Sequence, residues 1–266
     1  MFFAIPFPNI DPVLFQIGVF AVRWYSLAYI AGLVLGWIYV KRLAARTPTV
    51  CDGVAVDDFL TWATIGVVLG GRLGMVLFYQ FDYYMANPAK ILAVWEGGMS
   101  FHGGFIGVVV AALLFTRKRG IDPLRFGDLL GCAAPIGLFF GRVANFINGE
   151  LWGRTTDVPW AMVFPTGGPL PRHPSQLYEA ALEGLVLFVV LFALSRSETV
   201  RRRPGLLMGI FIAGYGIARS IGEMFREPDT YIGFLAFGTT WGQWLSLPMI
   251  AVGIYFIIRA RRRGVV

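Results

Sequence analysis

Apolar residues along this chain gather in long, nearly unbroken runs separated by short polar stretches. The pattern has neither the two-residue alternation of a half-buried strand nor the single stripe of a water-facing helix. Seven runs stand out, at about 17–40, 58–81, 97–116, 126–147, 175–195, 205–224 and 240–258. Each is close to the roughly 20 residues that a helix needs to cross the hydrocarbon core of a bilayer. The pattern predicts an all-α polytopic membrane protein with seven transmembrane helices. No internal repeat or low-complexity linker interrupts it, so residues 1–266 read as one integral membrane domain.

The cations orient the helices. Lys41, Arg42 and Arg46 follow the first run, Arg117, Lys118, Arg119 and Arg125 separate the third and fourth, Arg196, Arg201, Arg202 and Arg203 separate the fifth and sixth, and Arg259, Arg261, Arg262 and Arg263 follow the last. The alternate loops hold only Lys90, Arg154, Arg172 and Arg226. Cytoplasmic loops carry the excess of Lys and Arg. The amino terminus is therefore expected outward and the carboxyl terminus in the cytoplasm, which requires an odd number of spans. The longest outward segments, 148–174 and 225–239, are rich in Gly, Pro and polar residues. They are expected to form an irregular outward-facing loop region.

Composition agrees. Of 266 residues 56% are hydrophobic and 15% charged, with a mean hydropathy of +0.64, too apolar for a surface that faces only water. The net charge of +7 raises nucleic acid as a partner, but the cations sit in short runs beside apolar spans, where they serve topology. The partner they imply is the lipid bilayer, not nucleic acid. Cys51 and Cys132 fall in a cytoplasmic loop and the inner half of a span, where a structural disulfide is not expected. Met1 to Asp11 lacks the basic region and cleavage site of a removable signal peptide.

The candidate chemistry lies in the charges that remain. Arg23, Arg72, Arg142 and Arg219 fall within or at the edges of the apolar runs, where a cation is costly unless an anion meets it or it snorkels to the headgroups. A lipid phosphate is the expected anion for Arg142 and Arg219. Arg142 and Asn145 share a helical face, and Asn148 and Glu150 continue the polar group; Arg219, Glu223 and Arg226 form a second stripe. A guanidinium group suits phosphate because it forks onto two oxygens and keeps its charge. Glu223 is expected to position Arg219, or simply to pair with it.

His102 stands among glycines in Gly97-Gly98-Met99-Ser100-Phe101-His102-Gly103-Gly104, and its imidazole suits general acid or base work near neutrality. A hydrogen-bonded structural histidine fits the same pattern. His173, at the start of the fifth run, reads equally as an interface residue. No Gly-x-Ser-x-Gly elbow, nucleotide loop or spaced His/Cys/carboxylate set is present, so neither a metal site nor a bound cofactor is expected.

These segments carry a resemblance. Gly141 to Arg154, reading GRVANFINGELWGR, resembles the signature of the prolipoprotein diacylglyceryl transferase family. So do Arg23-Trp24-Tyr25, Gly70-Gly71-Arg72, GGMSFHGGFIG around His102, RHPSQLYE from Arg172, and Gly214 to Arg219 leading to Glu223 and Arg226-Glu227-Pro228-Asp229. The resemblance spans essentially the whole chain. It implies transfer of a diacylglyceryl group from phosphatidylglycerol to the lipobox cysteine thiol of a preprolipoprotein, forming a thioether and releasing glycerol 1-phosphate, at the outward half of the bacterial cytoplasmic (inner) membrane. It implies further that Arg142 binds phosphatidylglycerol with Asn145, Glu150 and Gly153 around it, that Arg219 and Glu223 act as a pair, that His102 is a base, and that Tyr25 lies near the site.

Two other classes stay open on the residues alone. An anion or lipid transporter would need a basic path to both faces, whereas these arginines share one half of the bilayer. A lipid-binding subunit without turnover would lack transfer activity.

Overall fold

The computed structural model describes residues 5–8, 10–18, 20–228 and 233–263. Asp229, at the end of the last sequence motif, lies outside them. In chain order the elements begin with strands β1 (Ile5–Pro6), β2 (Val13–Ile17) and β3 (Phe20–Arg23) and helix α1 (Trp24–Ala44). Helix α2 (Gly53–Gly74) runs on as a π-helical stretch, Met75–Tyr79, before the short α3 (Phe81–Ala86) and α4 (Phe101–Arg119). Next come α5 (Pro123–Ile147), β4 (Met162–Val163), α6 (Ser175–Glu179), a π-helical stretch Ala180–Val186, α7 (Leu187–Arg196) and α8 (Glu198–Arg201). Helices α9 (Leu206–Gly222) and α10 (Trp241–Arg262) complete the chain.

Among the described residues six helical segments are long and apolar enough to cross a membrane: α1, Gly53–Tyr79, α4, α5, Ser175–Arg196 and α10. The segment expected at 205–224 is the apolar helix α9, which at 17 residues is shorter and lies at the lower limit for a span. At most a third of the residues in each long segment are buried within the chain. Leu33, Ile65, Leu69, Val189 and Leu247 are among the many exposed apolar side chains, a surface that suits lipid.

The expected start of the first span is corrected. Residues 17–18 and 20–23 belong to the β2–β3 hairpin, in which Ile17 pairs with Phe20 and Val13 with Arg23. Gly18, at φ +59°, supplies the left-handed conformation that the reversal needs. Arg23 consequently ends a strand and is exposed.

The chain packs as two compact units, Lys41–Gly127 and the remainder, Met1–Val40 with Asp128–Val266. In the Lys41–Gly127 unit α2 and α4 meet backbone to backbone. A Cβ at Gly107 would come within 1.9 Å of the Gly66 carbonyl oxygen, and one at Gly103 within 2.3 Å of Gly70 O. Such contact is open only to residues without side chains. Phe59, Phe115 and Phe126 close one end, with ring centroids 4.9 to 5.6 Å apart.

In the other unit, glycines again set the packing. Gly253 of α10 lies against Ala213 of α9, and Gly184 against Phe139 of α5. The buried Asp128 carboxylate accepts from the backbone N–H groups of Gly205 (2.8 Å) and Met208 (2.7 Å). It thereby caps α9 from a neighbouring helix, satisfying donors that a helix start leaves open.

Candidate functional site

Where α5 and α9 end and the fifth and last long helices begin, six charged side chains converge. Arg142 comes from α5, Arg219 from α9 and Arg226 from just beyond it. Glu179 ends α6, Glu183 lies in the π-helical stretch that follows, and Glu223 caps the end of α9. Arg142 donates Nε and Nη2 to Glu183 Oε2 at 3.1 and 3.0 Å, and its Nη1 lies 2.9 Å from Glu179 Oε2. Arg219 Nη1 donates to Glu179 Oε1 at 2.8 Å, and its Nη2 pairs with Glu223 Oε1. Arg226 Nη1 stands 3.6 Å from Glu179 Oε1. Glu179 is therefore the bridge that holds Arg142 and Arg219 side by side.

Burial is unequal across the cluster. The side chains of Glu179 and Glu183 are fully buried, whereas those of Arg142, Arg219 and Arg226 keep 15%, 17% and 12% exposure. Glu223 keeps 6%, so the arginines are the more accessible members of the cluster. Tyr215, one turn before Arg219 on α9, interacts electrostatically with all of Arg142, Arg219, Glu179 and Glu183.

Space for this arrangement is made by glycines. A Cβ at Gly222 would lie 3.1 Å from Glu179 Cγ, and one at Gly242 only 2.6 Å from the Glu223 carboxyl carbon. The π-helical stretch widens the turn that carries Glu183, a feature that recurs at functional sites.

The loop after α5 is held by side-chain hydrogen bonds, several of them to backbone carbonyls. Asn145 Nδ2 donates to Glu150 Oε1 at 2.8 Å and Asn148 Nδ2 to the same oxygen at 3.4 Å, while buried Gln176 donates to the Glu150 carbonyl. The Glu150 carboxylate also interacts electrostatically with the Tyr25 hydroxyl, which lies 3.4 Å from that of Tyr29. Gly153 is pinned between His173 and Phe225: a Cβ there would come within 2.7 Å of His173 and 2.5 Å of the Phe225 carbonyl oxygen. Arg154 donates to the carbonyls of Arg226 and Glu223, both at 3.0 Å, so the loop is fastened to the chain segment that carries two members of the cluster. Arg172 fastens it again through Gly167 O, Gly153 O and Glu227, with its guanidinium 4.0 Å from the Trp152 ring centroid.

His173 lies on this loop, its Nδ1 3.2 Å from the Tyr178 hydroxyl, which also accepts from Trp160 Nε1 at 2.6 Å. Burial, with a smaller contribution from the Arg154 charge, holds its imidazole below the ordinary value.

In the Lys41–Gly127 unit, Arg72 is buried but meets no carboxylate among the described residues. Its five N–H groups go to carbonyl oxygens: Nε to Ile91 (2.9 Å), Nη1 to Gly97 (2.5 Å) and Gly98 (3.1 Å), and Nη2 to Ala93 (2.9 Å) and Lys90. Tyr84 covers it, with the ring centroid 5.0 Å from Cζ. Neither snorkelling nor pairing with a carboxylate, the bland alternatives to a functional role for this residue, describes it. Arg72 organises the 87–98 loop. His102 opens α4 beside the N-cap Ser100, whose Oγ accepts from Gly103 N at 3.1 Å, and its Nδ1 lies 3.5 Å from the Tyr79 hydroxyl. Its side chain is exposed.

The family model for prolipoprotein diacylglyceryl transferase matches residues 12–259. The chain belongs to the prolipoprotein diacylglyceryl transferase family. Proteins named phosphatidylglycerol–prolipoprotein diacylglyceryl transferase are similar to it over almost their whole length. The one from Paramagnetospirillum magneticum is 61% identical over 265 residues, 99% of this chain and 98% of the relative. Those from Rhodospirillum rubrum and Azospirillum brasilense are each 60% identical, covering 98% of this chain and 96% and 98% of the relative.

For this diacylglyceryl transferase family member, the structure brings Arg142, Arg219 and Glu223 into one cluster and joins Asn145 to Glu150, while His102 belongs to the other unit. Sequence reasoning missed Glu179 and Glu183. Their signal was present, since two carboxylates four residues apart in an apolar span must share a face and find cations.

Proposed function

We propose that this chain transfers the diacylglyceryl group of phosphatidylglycerol to the cysteine thiol of a preprolipoprotein lipobox, forming a thioether and releasing glycerol 1-phosphate. The support is the pairing of Arg142 and Arg219 on one buried glutamate, together with relatives whose names state this donor and acceptor. Seven helices span the bacterial cytoplasmic membrane in this proposal, α9 among them, with the amino terminus outward and the whole chain acting as one domain. The cation-rich ends of α1, α4, α7 and α10 support that orientation.

In the reaction, the thiolate sulfur attacks the glycerol carbon that bears the phosphate. The carbon–sulfur bond forms as the carbon–oxygen bond breaks, and the electron pair leaves on the phosphate. Arg142 and Arg219 receive that growing charge. Because their side chains are already fixed by Glu179 and Glu183, little reorganisation is needed when it appears, which is the condition for electrostatic stabilisation of a transition state. Asn145, Glu150 and Gly153 shape the wall beside them, with Tyr25 near Glu150, and Glu223 positions Arg219. His102 takes the thiol proton, a role that rests on its sequence motif. No cofactor takes part in this scheme.

The test is transfer of labelled diacylglyceryl groups to a lipobox peptide by purified protein in phosphatidylglycerol-containing nanodiscs. Arg142→Gln is expected to lower the rate by about 10²–10³-fold or more, as removal of a fixed charge donor does. An unchanged rate in folded variant protein rejects the assignment. His102→Gln is expected to lower the rate and remove an ascending limb of the pH profile, and a parent-like profile excludes His102 as the base.

A further inference from the structure

The arginines of the cluster are matched in number. Arg142, Arg219 and Arg226 face Glu179, Glu183 and Glu223 within one network of contacts, so with all six groups ionised it carries no net charge. The cations are the more exposed members, since Glu179 and Glu183 have no exposed side-chain surface and Glu223 keeps only 6%. An anion arriving at the cluster therefore meets arginine side chains that each already stand within ion-pair distance of a buried carboxylate.

This matters because the two anions of the proposed reaction differ. Phosphatidylglycerol is a phosphodiester with one negative charge, whereas the leaving glycerol phosphate is a monoester whose second proton has a pKa near 6, so that it approaches two charges at neutrality. A receptor with surplus positive charge would favour the product over the substrate and hold it. A balanced receptor offers the same hydrogen-bond donors without that bias.

Resting on the function proposed above, we infer that Glu179, Glu183 and Glu223 are positioning residues that also set the charge of the phosphate site, so that the substrate monoanion is accepted and the dianionic leaving group is let go. The clearance left for Glu179 by Gly222 and for Glu223 by Gly242 marks their places as built into the packing. A carboxylate that only holds an arginine still would weaken that hold on becoming an amide without tightening the site's grip on a dianion, and that difference can be measured.

The experiment compares parent, Glu183→Gln and Glu223→Gln in the nanodisc transfer assay, with glycerol 1-phosphate added as inhibitor. The amide keeps the size and one acceptor of the carboxylate while removing its charge. Either variant is expected to bind glycerol 1-phosphate more tightly, with an inhibition constant lower by roughly tenfold, the order expected for one added charge in a partly screened site. Its steady-state rate should fall more than its first turnover. Adding Arg226→Gln to Glu183→Gln restores the balance of charges and should return the inhibition constant toward the parent value. An inhibition constant that is unchanged, or that rises together with KM, overturns the inference and leaves a purely structural role. Parent protein that transfers no diacylglyceryl group instead refutes the function on which the inference rests.

Discussion

Arg142 grips Glu183 side-on, with Nε and Nη2 both donating to the single oxygen Oε2 at 3.1 and 3.0 Å. Its remaining terminal nitrogen reaches Glu179 at 2.9 Å. One guanidinium therefore answers two fully buried carboxylates that lie four residues apart on the facing helix.

Removing that cation should be costly in a way that removing the pair is not. Arg142→Met leaves Glu183 buried beside Arg219 Nη1 at 3.8 Å, too far for a hydrogen bond. Breaking a buried ion pair from one side costs about 3–5 kcal/mol. The expected outcome is a large drop in thermal stability in detergent, recovered in part by adding Glu183→Gln. Equal stability of the single and double variants would show that Glu183 does not depend on Arg142.

Arg72 should not tolerate lysine. A guanidinium serves five carbonyls of the 87–98 region at once, whereas an ammonium has three donors and no planar fork. Gly98, at φ +75° and with a Cβ position only 3.2 Å from Arg72 Nη1, shows how closely the loop is wrapped. Arg72→Lys is expected to speed hydrogen exchange and proteolysis selectively in residues 87–98. Unchanged protection there would mean that the loop holds itself.

Much of this was legible in the chain, and the failures have physical reasons. Membrane helices announce themselves by length and apolarity, so each of the seven expected segments has a helix near its place. The first expected segment starts too early because Ile17 to Arg23 is apolar enough to pass for helix, and only Gly18 hints at the reversal. Arg142, Arg219 and Glu223 were found because charge in an apolar run is conspicuous. Glu179 and Glu183 obey the same rule, but the sequence does not say which cation a carboxylate in an apolar run will meet; only the fold sets both against Arg142 and Arg219. The partners of Arg72 could not be read at all, since they are backbone carbonyls that every residue possesses.

The glycines divide into two kinds. At Gly107 an added Cβ collides with the Gly66 backbone, while at Gly137 nothing lies within 4 Å. Gly107→Ala is expected to destabilise by about 1–3 kcal/mol, the usual cost of overpacking. Gly137→Ala should be neutral, or stabilising by up to about 1 kcal/mol, through helix propensity. Thermal unfolding of the two variants in the same detergent separates them; equal effects would contradict the close α2–α4 approach.

His173 gives a pH signature. Because its folded value lies below the ordinary imidazole value, near 6.5, the unfolded chain binds the proton first as pH falls. Its contribution to stability is complete above about 6.5 and is lost as pH drops from there through the folded value. His173→Gln should therefore flatten the dependence of Tm on pH in that interval while leaving it unaltered at pH 8. A variant whose profile parallels the parent below pH 6.5 would show that His173 protonates alike in both states.

The central claim is that the phosphate of a phospholipid sits on Arg142 and Arg219 together. An experimental structure of the protein in nanodiscs containing phosphatidylglycerol tests it most directly. The expected result is headgroup density with phosphate oxygens within hydrogen-bond distance of both guanidinium groups and the glycerol carbon facing the Glu150 wall. Phosphate density found elsewhere, with Arg142 and Arg219 touching only Glu179, Glu183 and Glu223, would contradict it.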